Sequence, residues 1–235
     1  MLQHTVMLAS ETDWPGFRQE VRGLLARLVP PEAVSWHTPS VIASDLCTRP
    51  AARGHAAESA RGSMNLVVPR SFVSLCETVV LHEDPARFAL LYRLLWRLVH
   101  EPALGHAPLD AERLHAQHMA QAVRRDMHRM KAFVRFCTIE EDDDEGPLNA
   151  AWFEPVHHVV EAVSPFFARR FMHRRWALFT PERSVRGRGE EIEFGPGVQR
   201  DQAPASDAGE ALWLMHYHSV FDPTRPGLAT HARSP

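Results

Sequence analysis

Cysteine is scarce in this chain and lysine almost absent. Cys47, Cys76 and Cys137 stand far apart in 235 residues; an odd, scattered set builds no disulfide framework and fits a reducing compartment. No run approaches the ~18 consecutive apolar residues of a membrane span, and the N-terminus lacks a basic segment followed by a short apolar one. A cytoplasmic protein without membrane contact is expected. Signatures of chemistry are missing as well. There is no nucleophile elbow, phosphate loop or dinucleotide fingerprint, so no cofactor is implied, and Gly187, Gly189, Gly195 and Gly197 read as turn residues. Fifteen histidines invite a metal, yet His115 with His118, His157 with His158, and His216 with His218 lack a His-Glu-x-x-His arrangement, and no Cys-x-x-Cys pair occurs. No metal is therefore expected. Lys131 is the single lysine; codon bias in a GC-rich genome and selection for phosphate-binding guanidinium forks both account for arginine elsewhere.

What is present suffices for an ordinary globular protein. At 45% hydrophobic and 23% charged residues, a real core needs no staples, and the length allows one large domain or two small ones. We expect one domain over 1–221, with a mobile loop at about 48–65, where apolar periodicity gives way to Ala, Arg, Gly and Ser. An irregular, proline- and glycine-rich tail over 222–235 follows. The net charge of −3 argues against nucleic acid until its distribution is considered. Acidic residues concentrate in the run 140–145, which reads as a solvated hairpin loop rather than a magnesium site. Arg124, Arg125, Arg129, Lys131, Arg135, Arg169, Arg170, Arg174 and Arg175 group elsewhere, so local potential can be positive.

Periodicity and caps predict a strand at 5–9, a helix from Asp13 and Pro15 to about Leu28, and a strand at 34–36. Helices follow at 69–81 and 85–100, the second capped by Asp84 and apolar nearly all round, hence central. Asp110 caps a long helix that gives way to a strand at 133–139, paired through the acidic loop with 149–153. A helix starts at Pro155, and Ser164 with Pro165 start another. Trp176, Leu178 and Thr180 alternate as a strand, 181–190 is a turn region, Ile192 and Phe194 end a further strand, and a last helix covers 206–220. The order predicts an α+β fold with helices packed on an antiparallel sheet.

Two clusters carry candidate chemistry. In RRDMHRMKAFVRF (124–136), Ala116, Met119, Ala120, Val123, Met127 and Met130 form an apolar stripe. Beside it, Gln117, Gln121, Arg124, His128 and Lys131 line up as an expected partly desolvated row. His128 can shuttle protons while Arg124, Arg125 and Arg135 hold phosphate oxygens; the bland alternative has Asp126 pairing Arg129 or Arg125. Glu154, His157 and His158 stand where a strand meets a helix start, a junction suited to catalysis and anion binding. There the bland alternative is a glutamate complementing the helix dipole. The two clusters are expected to meet in one concave site.

The 124–136 stretch, together with PRSFVSLCETVVLHEDPARFALLYRLLWRLVHEP (69–102), AWFEPVHHVVEAVSPFFARRF (151–171) and WALFTPERS (176–184), resembles an uncharacterised bacterial family described as DNA modification or repair proteins. The similarity runs from the first strand to about Phe221, and the family's Arg-Asp-x-His-x-Met core is matched from Arg125 to Met130. In that family the domain stands alone, beside a radical-SAM protein, or ahead of a uracil-DNA glycosylase-like domain of the family-4 type. The resemblance implies DNA metabolism, with DNA and one of those proteins as partners. It leaves three readings: a domain that binds nucleic acid through Arg124, Arg125, Lys131, Arg135, His158, Arg169 and Arg170; an enzyme using His128 with Glu154 and His157; or an interaction scaffold. Relatives continue past Phe221 into an aromatic segment that is absent here, so Trp213, Met215, Tyr217 and Phe221 are expected to form an exposed docking surface.

Overall fold

The computed structural model describes residues 4–39, 68–100, 110–140, 146–189, 191–201, 203–204, 210–221 and 229–231. The loop expected at 48–65 and most of the acidic run lie outside these residues. Contacts fall into two compact units, Met1–Arg124 and Arg125–Pro235. The fold is α+β.

In the first unit, β1 (His4–Met7) pairs in parallel with β2 (Val34–His37), and α1 (Trp14–Ala26) connects them. Asp13 starts that helix as expected, its Oδ1 accepting from the Gly16 N–H at 2.9 Å. Phe17, Val21, Leu24 and Leu25 recur at helical spacing and are buried. After α2 (Arg70–Val79), α3 (Arg87–His100) buries Phe88, Leu90, Leu91, Tyr92, Leu94 and Leu95, which makes it the central helix its composition predicts. Phe17 packs against Trp36 and Phe88 at centroid distances of 4.9 and 5.5 Å. At its start the buried Arg87 donates to the carbonyls of Val80, Asp84 and Glu11 and pairs with the Glu11 carboxylate at 2.6 Å. Such saturation is what permits a guanidinium out of water.

Helix α4 (Ala111–Phe133) runs from the first unit's residues into the second's, and Asp110 caps it through the Glu112 N–H at 3.0 Å. The second unit is a six-stranded sheet in the order β3-β4-β5-β6-β7-β8. Its strands are β3 (Cys137–Ile139), β4 (Leu148–Trp152), β5 (Arg175–Phe179), β6 (Arg183–Arg188), β7 (Glu191–Pro196) and β8 (Ala229–His231). All neighbours are antiparallel except β4 and β5, which run parallel because α5 (Val160–Arg170) crosses between them.

One face of this sheet takes α6 (Glu210–Val220), whose Trp213, Tyr217 and Val220 join Leu148, Ala150, Ala177 and Phe179 in one core. On the other face Phe167 of α5 meets Trp176, centroids 6.1 Å apart.

Five expectations are corrected. The strand begins at Cys137 and not at 133, since α4 continues through Phe133. A single helix replaces the two divided at Ser164 and Pro165: the Ser164 hydroxyl bonds back to the Val160 carbonyl at 2.6 Å, so the residue read as a cap lies inside α5. The region read as a turn over 181–190 holds β6, in which Gly187 lets the Trp176 indole lie across it; a Cβ there would come within 2.4 Å of the ring nitrogen. In the tail read as irregular, Ala229–His231 pairs with β7. The expected exposed aromatics of the last helix are likewise corrected, because Trp213, Tyr217 and Phe221 are buried against the sheet; Met215 is exposed.

Candidate functional site

Helix α4 sets the site through the residue that its apolar stripe did not predict. Val123, Asp126 and Met130 are buried on one face, three and four residues apart as one side of a helix requires. Asp126 Oδ2 accepts from the backbone N–H groups of Val156 and His157 at 2.8 and 2.9 Å. Oδ1 lies 2.9 Å from Arg129 Nη2 as an ion pair but takes no hydrogen bond among the described residues. Arg129 also reaches the Glu154 carbonyl at 3.2 Å and stands over the Phe153 ring. The carboxylate thus holds the turn that follows β4, and the bland pairing of Asp126 with Arg129 is the one observed.

His128 is outside this set of contacts. It lies about 200° around the helix from both Asp126 and Met130 and is exposed, as are Gln117, Gln121, Arg124 and Lys131. The row expected to be partly desolvated therefore faces solvent. Glu154 is exposed, His157 is buried, and His158 is half-buried with Nδ1 2.7 Å from both Glu182 oxygens. Glu182 follows β5 as Glu154 to His158 follow β4, so the pair links the carboxyl ends of the two parallel strands, where open sheets with crossover helices place ligands. Gly197 completes that edge: a Cβ there would lie 2.0 Å from the Pro181 carbonyl, so the chain closes on the 181–182 backbone only with glycine.

Cations and rings alternate on the second unit. Lys131 Nζ lies 5.6 Å from the Phe166 centroid. Phe166 meets Phe167, Phe167 meets Phe136 and Phe136 meets Phe171, at 5.3, 5.4 and 4.7 Å. Arg170 stands over Phe171 at 5.9 Å. Phe136, Phe166 and Phe171 are half-buried, whereas Arg125, Lys131, Arg135, Arg169 and Arg170 are exposed. None of these five cations pairs with a carboxylate among the described residues; Arg129, Arg183 and Arg186 all do.

Phe136 also lines a cavity of about 240 Å³ with Phe133, Arg135, Trp152, Arg200 and Trp213. Arg200 stacks over Trp152, its guanidinium carbon 4.6 Å from the centroid. Cys137 contributes a thiol that donates to the Ala150 carbonyl at 3.2 Å and whose pKa burial pushes up, so this group is no thiolate at neutral pH. Sequence reasoning found Arg135 and the pairing of Asp126 with Arg129, assigned Trp213 to a docking surface, and missed Glu182, Trp152 and Arg200. A carboxylate in register with Val123 and Met130 was a readable signal for Asp126; the others meet only through sheet pairing.

A family model for a domain of unknown function, DUF4130, matches residues 85–234. The chain belongs to the DUF4130 family. The DUF4130 match begins at the start of α3, so β1, α1, β2 and α2 lie outside it, although the resemblance was expected from the first strand onward. It takes in every residue of the junction, the ring row and the cavity. No curated protein and no solved structure matches the chain. Among the described residues no three His, Cys, Asp or Glu side chains gather as a metal site requires, and no helix is long and apolar enough to cross a membrane.

Proposed function

We propose that this chain is a nucleic-acid-binding domain of DNA metabolism. The observation that carries the reading is the row in which Lys131, Arg135 and Arg170 stand among Phe136, Phe166 and Phe171 with no carboxylate partner among the described residues. Cations without internal partners attract phosphates, and ring faces between them stack bases of any sequence. The net charge of −3 does not oppose this, because the field that acts on a strand is local within a Debye length of about 8 Å at physiological salt. The family resemblance adds the setting: a domain that presents a strand to a radical-SAM protein or a uracil-DNA glycosylase-like partner.

Fluorescence anisotropy with labelled single- and double-stranded DNA at two salt concentrations tests this. Affinity should fall steeply with salt, and Lys131→Ala/Arg135→Ala/Arg170→Ala should weaken single-strand binding and make the log–log salt slope shallower by about 2, at roughly 0.7 per phosphate contact. Equal binding by the triple variant at both salts, or no binding by the unaltered chain, refutes the proposal. A second reading, an enzyme in its own right, now draws on His158, the histidine whose ring Glu182 orients. A cleaved or mass-shifted oligonucleotide that His158→Ala no longer yields would establish it.

A further inference from the structure

The cavity beside β3 and α6 has a composition that the ring row alone does not explain. Four aromatic side chains and two guanidinium groups line about 240 Å³. Neither Arg135 nor Arg200 meets a carboxylate among the described residues; each donates to backbone carbonyls near its own position, Arg135 to Ala132 and Val134 and Arg200 to Pro204. Among the described residues no acidic side chain lines the cavity, and its thiol is neutral. The indole nitrogens of Trp152 and Trp213 are buried, so what the two tryptophans present to the cavity is carbon ring surface. Such a space suits a planar ring that carries a negative charge.

Size narrows the class. A cavity of about 150 Å³ holds benzene, whereas drug-sized ligands need about 300 Å³ or more. At about 240 Å³ the space admits one ring system of nucleobase size. Arg200 already extends the Trp152 stack, and a guanidinium plane continues base stacking while its N–H edge remains directed to phosphate. Phe133, 62% exposed at the end of α4, stands at the rim as an apolar surface without a covering group among the described residues.

We infer that this cavity receives a single nucleotide, its base stacked on the Arg200 guanidinium that covers the Trp152 ring and its phosphate held by Arg135 and the N–H edge of Arg200. The inference deepens the nucleic-acid reading above and rests on it for the biological source of the nucleotide, either free or as one unstacked residue of a strand. Within a strand, the row from Phe136 to Lys131 would carry the neighbouring residues, since Phe136 belongs to both the row and the cavity.

The test is a titration of the full chain, followed by tryptophan fluorescence, with thymidine 5′-monophosphate, thymidine, inorganic phosphate, a decathymidylate and a strand of the same length that is abasic throughout. We expect saturable quenching by the monophosphate, at least tenfold weaker binding of thymidine and of phosphate, and at least tenfold weaker binding of the abasic strand. Arg135→Ala/Arg200→Ala should remove the preference for monophosphate over thymidine. Phe133→Ala, at an exposed position, should weaken both without unfolding, as near-unchanged circular dichroism would show. Equal affinity for intact and abasic strands, with no monophosphate binding, overturns the cavity assignment and leaves the nucleic-acid reading standing. Monophosphate binding without any strand binding supports the cavity and overturns that broader reading.

Discussion

His216 shows how one ring on α6 ties stability to pH. It meets Phe179 edge-on at 4.7 Å, and its Nε2 is buried without a partner among the described residues. Burial holds its pKa below the ordinary 6.5, because charging the ring means taking an imidazolium out of water. In the unfolded chain the same ring protonates near its ordinary value. Between that value and the depressed folded one the unfolded state carries more protons, so stability rises with pH there; the contribution is full above about 6.5 and declines as pH falls toward the folded pKa. Urea denaturation should show a lower midpoint at about pH 5.5 than at about pH 7.5, and His216→Phe should reduce that difference. An identical pH dependence in both proteins would remove His216 from the account.

At the scale of elements, the join between α4 and the turn after β4 depends on one carboxylate. Asp126→Ala leaves the Val156 and His157 N–H groups without their acceptor, and an unmet buried donor costs about 1–3 kcal/mol. A loss of roughly 3 kcal/mol in the second unit is expected, with Asp126→Asn, which keeps a carbonyl oxygen, losing less than half of it; chemical denaturation of the three proteins decides. The same place marks how far the sequence could be read. Caps at Asp13 and Asp110 and the apolar stripe of α4 were legible because their causes are local, within four residues of one another. The parallel pairing of β4 with β5 was not, since nothing near either strand states which neighbour it takes. Strand β6 was hidden for a different reason: Gly187 answers to the Trp176 ring on the adjacent strand, a contact that looks like turn composition in one dimension. For the candidate site, Arg135 and His158 were visible as residue types at a junction, while Glu182 and Arg200 reach it only through the fold.

For the whole molecule, the consequence is a division of labour between two cores. The first, with Phe17, Leu24, Phe88 and Leu91, also takes Ala116, Met119 and Ala120 of α4; the second is built from Leu148, Ala177, Phe179 and Trp213. Every residue of the ring row and of the cavity belongs to the second unit. A ligand that binds only folded protein stabilises what it binds by RT ln(1 + [L]/Kd), about 2.7 kcal/mol at a hundred times Kd. For a unit near a hundred residues that corresponds to a midpoint shift on the order of 10 °C. Calorimetry should therefore resolve two transitions, of which a saturating single-stranded oligonucleotide raises one. Asp126→Ala should lower that same transition, whereas Arg87→Ala, which strips the buried clamp to Glu11 and Val80, should lower the other. High salt should cancel the ligand's shift and leave the effects of the two substitutions, because only the former depends on released counterions. A single transition that moves as a whole under all three perturbations would mean that α4 makes the two cores one cooperative unit, and the binding surface could then no longer be assigned to the second unit by this measurement.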